Sequence, residues 1–386
     1  MKQRKRVLGC VASVCWLLQL VACGAGEDGG APAAPNSRGW QTPSCSLIKG
    51  TGALTYTVDG GVSRIPREFP LPSNRYTFGL AVLQDANVLL ALGNDGRGLR
   101  LQRSADAGCS WTPVSSALDP LFELAELVAS GHIAYAWTRN ARWIYQIEAN
   151  GSVRRINLPF DPLTLRLDGR DSQHVRSARF RAGQVQLMDS RDGGTTWTEV
   201  GTSPPDPGLQ PVAVISGANL EHALVLSANS GAWVTFDSGN QWIESSGFED
   251  VHTPNGRSGA ISSDSVIAWL LVQDRPPLGV PSRPTGVYVS HDGGLTFQRV
   301  MSEGPESPLG AGGTTFWPHA GDANLVYFAF GSIGPEAPSF FYRHDAREPA
   351  VTAVQWPTKE GSVTSVAFHP TNPNVLYLGL SITNPD

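Results

Sequence analysis

Four stretches of this chain spell nearly the same eight residues, and their recurrence restricts the possible fold more than any other feature of the sequence. They are Ser104-Ala-Asp106-Ala-Gly108-Cys-Ser110-Trp111, Ser190-Arg-Asp192-Gly-Gly194-Thr-Thr196-Trp197, Thr235-Phe-Asp237-Ser-Gly239-Asn-Gln241-Trp242 and Ser290-His-Asp292-Gly-Gly294-Leu-Thr296-Phe297. Each follows an alternating apolar segment, such as Trp233-Val-Thr-Phe or Val287-Tyr-Val-Ser, and each precedes a short strand that begins at the aromatic residue, which places it in a hairpin turn. An Asp in such a turn accepts hydrogen bonds from backbone N–H groups ahead of it, and a Gly two residues later permits positive φ. The Ser/Thr hydroxyl is a further local partner. The aromatic then packs beside the turn, a burial that contributes about 1.5 to 3 kcal/mol.

The shared pattern, Ser/Thr-x-Asp-x-Gly-x-(Thr/Ser/Gln)-(Trp/Phe), resembles the Asp box, or BNR repeat, of sialidases, sortilin-type receptors and related β-propellers. The resemblance implies an all-β fold in which the boxes are structural turns at the outer rim, away from the axial channel where such propellers bind ligands. Fainter copies fill the gaps: Thr57-Val-Asp59-Gly-Gly61-Val-Ser63, Glu148-Ala-Asn150-Gly151-Ser152 and Arg343-His-Asp345. The third box position falls at 59, 106, 150, 192, 237, 292 and 345, a period of 42 to 55 residues that suits blades of four strands. The two longest spacings hold insertions, Gln273 to Gly286 and Gly331 to Ser339. Composition agrees, with 42 Gly and 29 Pro for tight turns and 16% charged residues.

The last segment, from Ser362 to Leu380, is similar to the strand, Pro-rich turn and strand that open a blade, yet no box follows it. The box at Asp59, conversely, has no opening strands of its own. Joining residues 362–382 as two inner strands to residues 45–66 as two outer strands gives seven four-stranded blades, closed by both ends of the chain. Such closure removes exposed strand edges. The competing assembly is a chain whose last blade is incomplete.

Residues 1–22 read as a signal peptide: Lys2, Arg4, Lys5 and Arg6 precede an apolar run that ends in Leu20-Val21-Ala22-Cys23. That ending resembles the lipobox of bacterial lipoproteins, which implies that the Cys23 thiol carries diacylglycerol and anchors the protein to a membrane. Gly24 is not the Asp of inner-membrane retention, so the resemblance implies the outer membrane of a two-membrane bacterium. The alternatives are an ordinary cleaved signal with an incidental Cys, or an uncleaved span. Residues 23–44 read as a flexible tether, and 45–386 as a single propeller domain. Of the five Cys, two leave with the signal and one is the lipid site, so Cys45 and Cys109 remain as a disulfide or as two buried thiols. Loss of the signal takes four of the 29 basic residues and leaves 25 against 34 acidic ones, which disfavours nucleic acid as a partner.

No sequence pattern for a metal, cofactor or nucleophile site is present; the eight His lack metal spacing and read as turn or surface residues. The resemblance to sialidases implies an arginine cluster around a substrate carboxylate. Ser63-Arg64-Ile65-Pro66, and the strand running into Asn94-Asp95-Gly96-Arg97, are similar to that family's sequences. Under that reading Arg64 and Arg97 clamp the carboxylate, and Asp85 or Asp95 is the acid/base. Against it, Ser63 replaces the family's aromatic, and no later Arg pair with a Glu/Tyr partner stands out. Xyloglucanase-type enzymes need a cleft between two propellers, and this chain is long enough for one. The expectation is therefore a monomeric envelope propeller that binds a protein or glycan, resembling sortilin-like receptors or the photosystem II assembly factor family. A sialidase-like exo-glycosidase is the alternative.

Overall fold

In the folded chain the repeated turns form from their own side chains. The Ser104, Ser190, Thr235 and Ser290 hydroxyls each donate to the Asp two residues on (2.6–2.9 Å) and accept the N–H of the Gly four residues on (2.8–2.9 Å). The same carboxylate oxygen accepts the N–H four residues ahead of the Asp, at Ser110, Thr196, Gln241 and Thr296. Asp59 makes the whole set, with Thr57, Gly61 and Ser63, although its turn lacks the aromatic. Asn150 and Asp345, without the hydroxyl, accept the N–H two residues ahead rather than four, and Asp345 also accepts from the Arg347 guanidinium.

A computed structural model describes residues 39–49, 53–63, 75–94, 98–114, 118, 126–139, 141–206, 209, 211–304, 314–330, 340–354 and 362–382. The signal segment, Cys23, Arg64, Asp95 and Arg97 lie outside them. The strands form seven antiparallel blades, here numbered along the chain: blade 1 (75–113), blade 2 (126–157), blade 3 (164–200), blade 4 (211–244), blade 5 (254–302), blade 6 (314–354), and blade 7 from both ends. Blades 1 to 6 have four strands each, paired in chain order. In blade 7 the inner strand Ser362–Phe368 pairs with Leu376–Ile382, which pairs in turn with Leu54–Thr57 from the other end of the chain. The assembly expected from the sequence is thus the observed one. The residues after Ser63 that would extend it lie outside the described set.

Among the described residues no single apolar core fills the middle of the ring. Seven apolar clusters each bridge one pair of neighbouring blades, such as Leu224, Leu226 and Val234 of blade 4 against Ile261, Leu270 and Val272 of blade 5. The box glycines stand at these contacts. Gly108, Gly194, Gly239 and Gly294 have φ of +85° to +101°, and a Cβ on them would meet Tyr377, Ile144, Leu187 and Leu224 of the preceding blade within 2.8–3.4 Å.

The seam between blades 7 and 1 has further ties. Cys45 and Cys109 are bonded as a disulfide with Cα atoms 5.7 Å apart. Lys49 pairs in parallel with Ser110, exchanging backbone hydrogen bonds with Cys109 and Trp111. The tether expected to run through residue 44 ends earlier. Trp40 is buried with its ring edge-on to His369 (centroids 5.3 Å apart), and Gln41 accepts from the His369 ring and donates to Asn87. The buried Trp40 ring thus joins the Cys45 disulfide and the buried Ile48 in holding that segment on the fold.

Two stability measurements check this account. Gly183→Ala, at φ +79° in open space, should cost only about 1 kcal/mol, whereas Gly294→Ala, facing Leu224 at 2.8 Å, should cost about 2–4 kcal/mol in a denaturant titration. Reducing Cys45–Cys109, which closes 64 residues, should lower unfolding stability by about 2–4 kcal/mol, read as a drop in Tm with dithiothreitol.

Candidate functional site

Strand order divides the connections of a propeller between two faces. Turns from first to second and from third to outer strands share one face, the turn face. Second-to-third connections and the links between blades share the other.

The turn face is occupied by its own hydrogen bonds. Within six blades one backbone N–H of the third-strand turn reaches a carbonyl of the first-strand turn: Ala107 to Asn87, Gly193 to Gln173, Ser238 to Glu221, Gly293 to Val266, Ala346 to Asn324 and Gly60 to Asn374. Five of the histidines expected in turns or on the surface, His174, His222, His319, His344 and His369, are instead buried. His222, His319, His344 and His369 donate through Nε2 to backbone carbonyls of Gly293, Pro373, Glu348 and Gln41. In His319 and His369 the Nδ1 atom accepts N–H groups two and three residues ahead, so both rings are neutral. Burial lowers the pKa of all four, opposed only in part by the carbonyl each one meets. A second repeat carries this arrangement, His319-x-x-Asp-x-Asn-Leu-Val-Tyr327 and His369-x-x-Asn-x-Asn-Val-Leu-Tyr377, and it could have been found by aligning segments that precede the boxes.

Blade 3 holds a buried polar cluster. His174 contacts Asp168 through Nδ1 (3.0 Å) and Asp189 through Nε2 (2.7 Å), and Arg176 donates to Asp189 (3.0 Å) and to the Leu220 carbonyl of blade 4 (2.9 Å). Burial raises the Asp189 pKa, but the His174 hydrogen bond and the Arg176 charge outweigh it, and the net shift is downward. With Arg176 and Asp189 nearly sealed from solvent, the group pins blade 3 to blade 4. The other arginines of this region serve separate local contacts: Arg155 lies over the Trp143 ring, Arg154 donates to Gln146 and Arg179 pairs with Glu199.

Of the acid/base candidates, Asp85 is described. It lies on the turn face and accepts from His132 of blade 2 at 2.8 Å. Asp85 stands near the Leu89 end of strand Leu89–Asn94, about 20 Å from the Asn94 end at a rise of about 3.3 Å per residue, and Asp95 and Arg97 lie outside the described residues. One Tyr–carboxylate–Arg group does exist. Tyr288 donates to Asp250 (2.7 Å) and accepts from Arg299 (2.6 and 2.9 Å), while Arg299 also pairs with Asp250. Tyr288 is fully buried in the third strand of blade 5, and burial, with the Asp250 hydrogen bond, pushes its pKa well up. A phenol so held is a poor nucleophile, and its place is beside the outer strand rather than at the axis. Among the described residues no group of three or more His, Cys, Asp or Glu is placed to hold a metal ion.

The second face carries the 275–285 loop of blade 5. Its base is organised by Asp274, a buried carboxylate that accepts the His252 N–H (2.7 Å), the His252 ring (2.8 Å) and the Arg283 N–H (2.7 Å). Burial raises its pKa, but these donors bring it far below the ordinary carboxylate range. Arg275 N–H reaches the Thr253 carbonyl, and the Arg283 guanidinium reaches that of Asp250. The sequence marked this stretch only as an insertion; a carboxylate followed by four prolines was the available signal.

These blades, faces and closure define a seven-bladed β-propeller. The chain is 32% identical over 359 residues to the dispase autolysis-inducing protein of Streptomyces mobaraensis, across 91% of this chain and 92% of that one, and it belongs to that protein's family. No protein-family profile matches it. Among solved structures it is similar in fold to YCF48 from Cyanidioschyzon merolae, with a TM-score of 0.52, 15% identity and 81% and 97% of the two chains covered. It is also similar in fold to an ancestral GH74 enzyme, with a TM-score of 0.50, 13% identity and 85% of this chain but 45% of the enzyme covered.

Because the folded His rings titrate below the unfolded value of about 6.5, the unfolded chain binds more protons as pH falls through that value. Stability should therefore be full above about pH 7 and fall as pH drops below about 6.5, by up to about 1.4 kcal/mol per pH unit for each of His222, His319, His344 and His369. His369→Gln should lower Tm at pH 8 and flatten its decline between pH 6.5 and 5.

Proposed function

We propose that this chain is an exported, lipid-anchored propeller of the bacterial envelope that acts by binding another protein rather than by turning over a substrate. One observation carries the reading: along nine-tenths of both chains it is related to a protein named for inducing the autolysis of dispase, which is an effect on another protein. The use of Asp168, Asp189, His174, Tyr288 and Arg299 in internal pins supports it, since those groups are committed to holding blades together. The hydroxyl–Asp–Gly turns support a place among the Asp-box propellers, where such turns build the rim. The Leu20-Val21-Ala22-Cys23 ending supports an anchor at Cys23.

Two experiments test this. Purified protein incubated with dispase should hasten loss of the intact dispase chain on a gel, and should release no fluorophore from an umbelliferyl sialoside. Hydrolysis of the sialoside that is lost in Arg64→Ala would replace the binding reading with the glycosidase one. Expressed in a two-membrane bacterium, the wild type should fractionate with outer membranes and Cys23→Ser with soluble envelope proteins; equal fractionation would remove the anchor.

A further inference from the structure

We infer that the 275–285 loop of blade 5 is the docking element of this propeller, and that its occupant is a partner protein offering a Leu-sized apolar pocket with an acidic rim. The inference rests on the protein-binding reading above and names the surface that would perform it.

The loop is longer than its blade requires. Second and third strands are joined by two residues in blade 3 (Ala182 and Gly183) and three in blade 4 (228–230), but by eleven in blade 5. The extra chain does not serve the core, because Leu278 at its tip is fully exposed and is the most exposed large apolar side chain among the described residues. Val280, two residues on, is also exposed. A lone surface Leu is ordinary. Here the chain around it is built to hold it out.

Val280 N–H closes onto the Pro277 carbonyl at 3.0 Å, and Gly279 takes φ +83°, so Pro277 to Val280 form a tight turn with Leu278 at its corner. Pro276, Pro277, Pro281 and Pro284 fix φ on both sides of it. Below them, the buried Asp274 ties the two ends of the loop to each other and to the link that enters the blade. A loop already ordered loses little conformational freedom on docking, so an exposed apolar tip on such a frame is an efficient anchor for a concave apolar site.

Charge identifies the rim. Arg275 and Arg283 stand exposed on the two sides of the loop base, while the acid between them, Asp274, is buried and engaged. Residues 275–285 carry these two guanidinium groups and no acid, while Asp274 and Glu303 accept backbone N–H groups at the base, so the charge the loop presents is complementary to acidic groups around the pocket that receives Leu278.

The test uses the full-length protein in detergent and measures the concentration giving half-maximal acceleration of dispase autolysis, with Tm recorded for each variant. Leu278→Asp should raise that concentration at least about tenfold with Tm unchanged, because the side chain touches nothing that holds the fold. Leu278→Met should stay within about threefold of wild type, as should Val266→Asp, an exposed apolar position on the turn face. Leu278→Asp acting at the wild-type concentration would overturn the inference while leaving the proposed function standing. A wild type without effect on dispase would overturn the proposed function, and this inference with it. Loss, in Leu278→Asp, of a wild-type dimer seen by sedimentation, or of wild-type binding to anionic vesicles, would reassign the loop to self-association or to a lipid surface.

Discussion

Each blade of this ring must meet two neighbours at a fixed distance, and in the five blades with a full hydroxyl–Asp–Gly turn the glycine that ends the turn governs that approach. At Gly294 the backbone is left-handed, and the space a Cβ would fill is held by Leu224 of the preceding blade. The two requirements coincide. The hydroxyl and carboxylate shape the turn, the turn imposes positive φ on the glycine, and its bare Cα lets the next blade close in. Seven apolar clusters then lie between blades rather than at the centre, so the fold's stability is distributed around the circumference.

A ring stabilised pairwise is only as sound as its seam. Here the seam is made by hydrogen bonds of the kind used elsewhere: Gly60 N–H meets the Asn374 carbonyl across the two ends of the chain, as Gly293 meets Val266 within blade 5. The disulfide and the contact of Trp40 with His369 are added there, and the Lys49–Ser110 bridge repeats one between Ser246 and Thr296 at the contact of blades 4 and 5. That concentration of ties is what closure by distant segments demands, since chain connectivity does not hold blade 7 together.

The titratable groups divide by face. On the turn face, neutral histidines and the His174–Asp189–Arg176 group fasten one blade to the next and are withdrawn from solvent. On the opposite face, the buried Asp274 organises an exposed loop. In this division polar chemistry serves construction, and the most exposed large apolar side chain among the described residues, Leu278, stands on a loop tied at its base.

How much of this was legible in advance follows the range of the interactions. The box turns were readable because their hydrogen bonds span four residues, and their period led to seven blades and to closure by both ends. The pairing of Cys45 with Cys109 was open, because a disulfide depends on a Cα separation that only the closed seam supplies. The buried histidines were misjudged: whether His319 faces solvent or the Pro373 carbonyl depends on a neighbouring blade 54 residues away in sequence. Likewise the stretch from Gln273 to Gly286 was visible as an insertion, but its rigidity depends on Asp274 meeting His252, 22 residues upstream. By itself, then, the sequence determined the local turns, the repeat and so the architecture, because those rest on short-range hydrogen bonding and strand pairing. Only the tertiary structure decided which polar side chains are buried as pins and which loop stands exposed, because both depend on where one blade packs against the next.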